Sequence, residues 1–140
     1  GAEAASAATG GSANGHANGA AFFPRSAVDA KFETGGLLLD ASRFKLDAGR
    51  RSGPGEVEYH ERTVDVMHVV RGTATVVTGG QMVEPRTVEP NEVRAARTRG
   101  GEARTVSKGD IIVIPRTIPH WFKEVTEAPF IYLVVKSTAL

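Results

Sequence analysis

Hydrophobic and polar residues alternate with a period of two along much of the chain, which predicts β-strands because successive side chains of a strand point to opposite faces. The clearest case is residues 57–60, where Val57 and Tyr59 share one face and Glu58 and His60 share the other. Further strands are expected at residues 37–40, 43–46, 65–70, 73–78, 103–107, 111–114, 120–125 and 130–135, bounded by Gly and Pro. We therefore expect an all-β sandwich or barrel.

The connections between these strands differ in length. Gly72 is expected to turn the chain between the strands at 65–70 and 73–78, and residues 126–129 should separate the last two strands. The segment 81–101 is long and polar and carries two prolines, so we interpret it as a hairpin or insertion over one mouth of the barrel. Both faces of the strand at 130–135 are apolar, which indicates burial on both sides.

A short helix is expected ahead of the first strand. Ser26 is a candidate N-cap, because its hydroxyl can accept a hydrogen bond from a free backbone N–H, and Asp29 follows three residues later. The helix should reach about Phe32 and end at Gly35 and Gly36.

The first 21 residues have a different composition from the rest. They consist mainly of Ala, Gly, Ser and Asn, which bury little side chain against a large loss of backbone entropy, and they are interpreted as a low-complexity arm. The expected organisation is a leader at 1–21 and a single domain at 22–140. A start rich in small residues is what signal-peptide cleavage or a trimmed tag leaves, so we expect an exported protein (periplasmic or secreted), with a cytoplasmic one as the alternative.

Composition narrows the possible partners and cofactors. The 140 residues carry a net charge of +1, so we expect neither a nucleic-acid nor a membrane partner. Cysteine is absent, which excludes disulfides, zinc fingers and iron–sulfur clusters ligated by cysteine. Histidine and carboxylate side chains are therefore the candidate metal ligands.

Two spaced motifs resemble those of the cupin superfamily of small jelly-roll barrels. The first family motif is Gly, His-x-His, four residues, Glu, six residues and Gly; the second is Gly, five residues, Pro-x-Gly, two residues, His, three residues and Asn. In this chain the corresponding positions are Gly53 (displaced by one), Glu58, His60, Asp65 and Gly72, then Gly109, Pro115, Thr117, His120 and Glu124. The chain departs from the family at Glu58, Asp65, Thr117 and Glu124. The resemblance spans about residues 37–136 and implies a double-stranded β-helix.

The same residues suit a metal site on chemical grounds. Glu58 and His60 are two apart and so share a face, Asp65 begins the next strand, and a barrel can bring His120 opposite them. Two imidazoles and a carboxylate suit a divalent ion such as Fe, Mn, Ni or Zn. Glu58 is either a fourth ligand or a catalytic base beside the metal.

Alternation also identifies candidate pocket residues. Met67 should follow Asp65 inward and Phe122 should follow His120, while Tyr132 lies on one face of the last strand. We expect these three side chains to line a substrate pocket. His68 alternates away from Asp65, so we expect it to serve packing or an interface rather than metal binding.

Three functions stay open at this point. The first is a divalent-metal-dependent enzyme of dioxygenase, isomerase or lyase type acting on a small organic molecule. The second is a non-catalytic barrel that binds or senses a small ligand such as a sugar or metabolite. The third is a structural barrel whose carboxylates only pair with neighbouring arginines. Open sheet edges lead us to expect a homodimer.

Overall fold

The structure is a computed structural model, and it describes residues 19–138. This part of the chain forms one helix and eleven strands. They are α1 (Arg25–Thr34), β1 (Gly36–Asp40), β2 (Phe44–Arg51), β3 (Val57–His60), β4 (Thr63–Thr78), β5 (Gln81–Met82), β6 (Arg86–Glu89), β7 (Glu92–Ala95), β8 (Thr98–Arg99), β9 (Glu102–Ser107), β10 (Ile111–Ile114) and β11 (His120–Thr138).

Two long antiparallel strands, β4 and β11, connect the two halves of a nine-stranded sheet. The first half of β4 and the second half of β11 form the first half-sheet, which continues through β10 on one side and through β2 and β1 on the other. The second half of β4 and the first half of β11 form the second half-sheet, which continues through β9 on one side and through β3, β7 and β6 on the other. The short strands β5 and β8 pair separately.

The sheet folds on itself at Gly72, opposite residues 127–131 of β11, where the pairing register shifts. Gly72 has a φ of 82°, and a side chain there would collide with the backbone carbonyl oxygens of Glu127 and Pro129. The predicted turn at Gly72 is wrong, because the chain bends there within a single strand. The predicted break at 126–129 is also wrong, because β11 runs through it.

One hydrophobic core lies between the two half-sheets. Its buried members are Met67, Val69, Ala74, Val76, Val106, Ile114, Phe122, Phe130, Tyr132 and Val134. They come from β4, β9, β10 and β11, so the inward face of each strand supplies alternate residues to the same interior. This arrangement confirms the predicted all-β barrel with one short helix.

The helix covers the outer face of the first half-sheet. Phe32 of α1 packs with Ala48 of β2 and Ile131 of β11, which confirms that both faces of the last strand are covered. The predicted N-cap is wrong: α1 begins after Pro24 and has no side-chain cap, and Ser26 lies inside the first turn. The helix ends as expected at Gly35, whose φ is 77°.

Within residues 19–138, no helix is both long and apolar enough to cross a membrane. Nearly all of the expected leader lies outside the described residues, and the division into 1–21 and 22–140 stays a prediction.

Candidate metal centre

The two histidines of the motifs meet inside the barrel. His60 ends β3, His120 begins β11, and the two strands pair with His120 opposite Glu58. The imidazole ring centroids lie 5.0 Å apart. One ligand atom from each of Glu58, His60 and His120 lies within 4.8 Å of the others. Residues about 60 positions apart in sequence thus come together because β11 crosses next to β3.

Asp65 lies beside both imidazoles. Its Oδ2 is 3.3 Å from His60 Nε2 and 3.5 Å from His120 Nε2. All three side chains are almost fully buried, and His60 Nε2 and Asp65 Oδ1 have no hydrogen-bond partner among residues 19–138. Buried polar atoms without partners are rare and costly, so this cluster requires an explanation beyond packing.

The Nδ1 atom of each imidazole contacts an oxygen atom of the protein. His60 Nδ1 lies 2.7 and 2.8 Å from the two carboxylate oxygens of Glu92, and His120 Nδ1 lies 3.4 Å from the carbonyl oxygen of Ile118. Both rings therefore turn Nε2 towards Asp65. This is the arrangement found around metal-binding histidines, where a carboxylate or carbonyl accepts the other ring N–H.

Sequence reasoning missed Glu92. It lies in the segment 81–101, for which the sequence predicts a hairpin or insertion over the barrel mouth, but β7 pairs residue by residue with β3 and places Glu92 opposite His60. No spacing signal along the chain connects the two residues, which are 32 positions apart. Only the pairing of β3 with β7 could have identified it.

Two arginines hold Glu58. Arg51 donates a hydrogen bond of 3.2 Å to Glu58 Oε2, and Arg94 forms an ion pair of 3.6 Å with Glu58 Oε1. Glu58 Oε1 lies 3.9 Å from His60 Nε2, whereas Asp65 Oδ2 lies 3.3 Å from the same nitrogen. The carboxylate is thus fixed at the edge of the histidine cluster, with its charge balanced by guanidinium groups.

The charged forms of His60 and Asp65 stabilise each other. Burial tends to lower the pKa of His60, but its contacts with Asp65 and Glu92 outweigh burial and the pKa lies above its ordinary value of 6.5. Burial tends to raise the pKa of Asp65, but the contact with His60 and the charges of His120 and Lys136 bring it below 3.8. The carboxylate of Asp65 would thus stabilise either a proton on His60 or a bound cation.

His120 behaves differently. Its burial lowers its pKa below 6.5, and the nearby carboxylates of Glu58 and Asp65 oppose this only in part. The neutral imidazole is favoured, and the neutral form is the one that binds a metal ion.

The predicted pocket residues lie in the core. Met67, Phe122 and Tyr132 are buried between the half-sheets, and the rings of Phe122 and Tyr132 are 5.0 Å apart. Arg51 joins this region to the site, because it donates to the Tyr132 hydroxyl, stands over the Phe122 ring and bonds to Glu58. Their assignment to a substrate pocket stays a prediction.

A cleft of about 360 Å³ opens beside His60. The described residues that line it are Leu37, Lys45, Asp47, His60, Thr63, Glu89, Glu92, Lys136 and Thr138. Met67, Phe122 and Tyr132 are not among these lining residues. Its volume suits a small organic molecule.

His68 faces away from the cluster. It lies on β4 three residues after Asp65, where the alternation of the strand turns it outward, and it is exposed. The structure therefore separates it from the other two histidines within residues 19–138.

A comparison with family models finds one match, to the model described as Cupin, over residues 26–140. No curated protein matches the sequence. The family match covers both motif regions and all of the residues in the cluster.

Solved structures resemble the fold at low identity. A protein of Bacillus halodurans has a TM-score of 0.60 at 12% identity, with 85% of this chain and 82% of that chain covered. A hydroquinone 1,2-dioxygenase, PnpCD, in complex with Cd²⁺ and 4-hydroxybenzonitrile has a TM-score of 0.59 at 11% identity, with coverage of 80% and 71%. An RmlC-like cupin with a double-stranded β-helix fold from Methanocaldococcus jannaschii has a TM-score of 0.51 at 13% identity, with coverage of 75% and 79%. These likenesses concern the fold alone.

Proposed function

The chain belongs to the cupin family, and on that premise we propose that it binds a divalent metal ion and acts as an enzyme on a small organic molecule. The ion is Fe, Mn, Ni or Zn, and the reaction is of the dioxygenase, isomerase or lyase type. The small molecule reaches the ion through the cleft beside His60.

One observation carries the proposal: two polar atoms, His60 Nε2 and Asp65 Oδ1, are buried in the cluster without a hydrogen-bond partner in residues 19–138. Leaving such atoms unpaired costs about 1–3 kcal/mol each. A cation bound at His60 Nε2 would remove the cost at that nitrogen, and its charge beside Asp65 would offset the cost at Oδ1.

The spacing of the cluster also fits. Two ligands that are each about 2.0–2.2 Å from one ion, at angles between 90° and 110°, lie roughly 3.0–3.5 Å apart. The separations of Asp65 Oδ2 from the Nε2 atoms of His60 and His120, 3.3 and 3.5 Å, fall in this range. These three residues would hold the ion, and open positions would remain for a substrate.

A bound ion would supply a Lewis acid or make a bound water acidic. Glu58 then has one of two roles, a fourth ligand or a base that takes a proton from substrate or water. Arg51 and Arg94 hold its carboxylate beside the cluster in either role.

A metal-free barrel that binds a small ligand is the second candidate. The mutual stabilisation of the charged forms of His60 and Asp65 favours it, because an imidazolium can replace the cation beside the carboxylate. In this case the cleft alone would bind the ligand.

The test uses protein without a histidine tag, stripped with EDTA and titrated separately with Zn²⁺, Mn²⁺, Ni²⁺ and anaerobic Fe²⁺ in a calorimeter. We expect one site per chain, lost in His120→Ala and retained in His68→Ala, because His68 is exposed and outside the cluster. Equal binding by both variants, or none by the unaltered protein, would contradict the proposal.

Glu58→Gln separates the two roles of Glu58. If Glu58 is a ligand, the variant binds metal more weakly; if it is a base, metal affinity is kept and turnover is lost. The amide keeps the size of the side chain, so packing around Arg51 changes little.

A further inference from the structure

We propose that Glu92 is a positioning residue that holds His60 in the tautomer and ring orientation required for metal binding. This inference rests on the proposed metal site. Glu92 does not belong to the group of residues that we expect to touch the ion, and it acts through His60.

The contact geometry assigns the proton of the neutral ring. Both carboxylate oxygens of Glu92 lie within 2.8 Å of His60 Nδ1, and a carboxylate can only accept a hydrogen bond. The hydrogen of the neutral imidazole is therefore on Nδ1, and Nε2 keeps its lone pair. In the opposite tautomer, a hydrogen on Nε2 would occupy the side of the ring that faces Asp65.

The strand pairing makes this contact rigid. His60 and Glu92 are direct cross-strand partners of β3 and β7, and the backbone N–H of Glu61 donates to the carbonyl of Asn91 next to them. Arg94, two residues further along β7, donates to Glu92 Oε1 and pairs with Glu58 Oε1. One guanidinium thus holds the carboxylate behind His60 and the carboxylate beside the cluster.

A purely structural histidine would not leave the site as it is. In the neutral ring with its hydrogen on Nδ1, Nε2 is buried without a hydrogen-bond partner in residues 19–138, which costs stability if the histidine serves only to close the barrel end. A ring fixed at one nitrogen and free at the other is instead prepared to bind an ion at the free nitrogen.

The first measurement is zinc affinity of stripped protein by calorimetry. We expect Glu92→Ala to bind Zn²⁺ about 10- to 100-fold more weakly, as for loss of other carboxylates behind metal-binding histidines. Glu92→Gln should lose less, because its amide oxygen can still accept from Nδ1–H. Glu33→Ala is the matched control: Glu33 is an exposed carboxylate in α1 that does not line the cleft, and its removal should change the affinity less than twofold.

The second measurement needs no metal. Long-range ¹H–¹⁵N NMR spectra of the imidazole, recorded at about pH 9 so that the ring is neutral, report which nitrogen carries the hydrogen. We expect the Nδ1–H tautomer for His60 in the unaltered protein and in Glu33→Ala, and a shift towards Nε2–H in Glu92→Ala. Circular dichroism confirms that each variant is folded, and Glu92→Met, which keeps the length of the side chain but has no oxygen to accept from Nδ1–H, replaces Glu92→Ala if the latter is not.

The outcomes separate the two ideas. An unchanged tautomer in Glu92→Ala overturns the positioning role, whatever the affinity. Absence of zinc binding by the unaltered protein overturns the metal site, and the tautomer then still decides whether Glu92 orients His60. A weaker zinc affinity together with a changed tautomer supports both.

Discussion

The interior of the barrel has two regions that are built from the same two strands and differ in chemistry. Near the start of β4 and of β11 it contains the buried Asp65 and His120; farther along both strands it contains only apolar and aromatic side chains, such as Met67 and Phe130. The backbone alternation is the same in both regions. They differ in whether polar atoms are left without partners, and for this reason we place the proposed metal site in the first region.

The two regions are joined by a single side chain. Arg51 contacts Glu58 in the polar region and the Tyr132 hydroxyl and Phe122 ring in the aromatic region. If the two regions have separate roles, changes in the aromatic region should lower stability with little effect on metal affinity. Changes in the polar region should lower metal affinity with little effect on stability.

The largest expected effect on stability is that of Phe130→Ala. Phe130 is 1% exposed and packs against the rings of Phe122 and Tyr132, so its truncation should lower the free energy of unfolding by about 3–5 kcal/mol. Urea unfolding followed by tryptophan fluorescence measures this. Phe44→Ala, at a residue 42% exposed, is the control and should cost about 1 kcal/mol or less.

The same variant tests the separation of the regions. At a temperature where Phe130→Ala is fully folded, its zinc affinity should stay within about threefold of the unaltered protein. A loss as large as that of His120→Ala would show that the two regions are not independent.

A smaller effect is expected at Gly49. Gly49 lies opposite Tyr132 on the neighbouring strand, and a Cβ there would collide with the tyrosine ring. Gly49→Ala should therefore push the ring away and lower the free energy of unfolding by about 1–3 kcal/mol. Gly53→Ala adds a methyl group where no heavy atom lies within 4 Å, so it should change stability by less than about 0.5 kcal/mol. Equal effects of the two variants would contradict the close packing.

The smallest effect is a pH dependence in the aromatic region. Burial raises the pKa of the Tyr132 phenol above 10.0, and the charge and hydrogen bond of Arg51 reduce that rise only in part. As pH rises past about 10, the unfolded chain loses this proton before the folded protein does, so stability falls with rising pH. Tyr132→Phe should remove this part of the fall at pH values above about 10, measured by urea unfolding. The same slope in both proteins would argue against the shift.

The sequence predicted those site residues that are linked by short spacings or by a family motif, and it did not predict those that strand pairing brings to the site. Glu58 and His60 were identified together because residues two apart in a strand share a face, and the spacing to Asp65 and His120 matched two family motifs. Glu92, Arg94 and Arg51 were not identified, because each reaches the site through strand pairing. The Ser26 cap was predicted from residue preference alone, and the helix instead begins two residues earlier, after Pro24.

The expected homodimer and the expected export stay predictions. The outer face of β10 exposes Ile111 and Val113 to solvent, so this strand is the candidate interface for the expected homodimer.

The amino-acid sequence alone determined the all-β class, the short helix ahead of the first strand and which side chains share a face, because these depend on alternation and on residues close along the chain. Only the tertiary structure decided that β4 and β11 are continuous through their bends, that β7 places a carboxylate behind His60, and that two arginines reach Glu58. These features depend on which distant strands form hydrogen bonds and in which register. That choice results from packing of the whole sheet rather than from any local pattern.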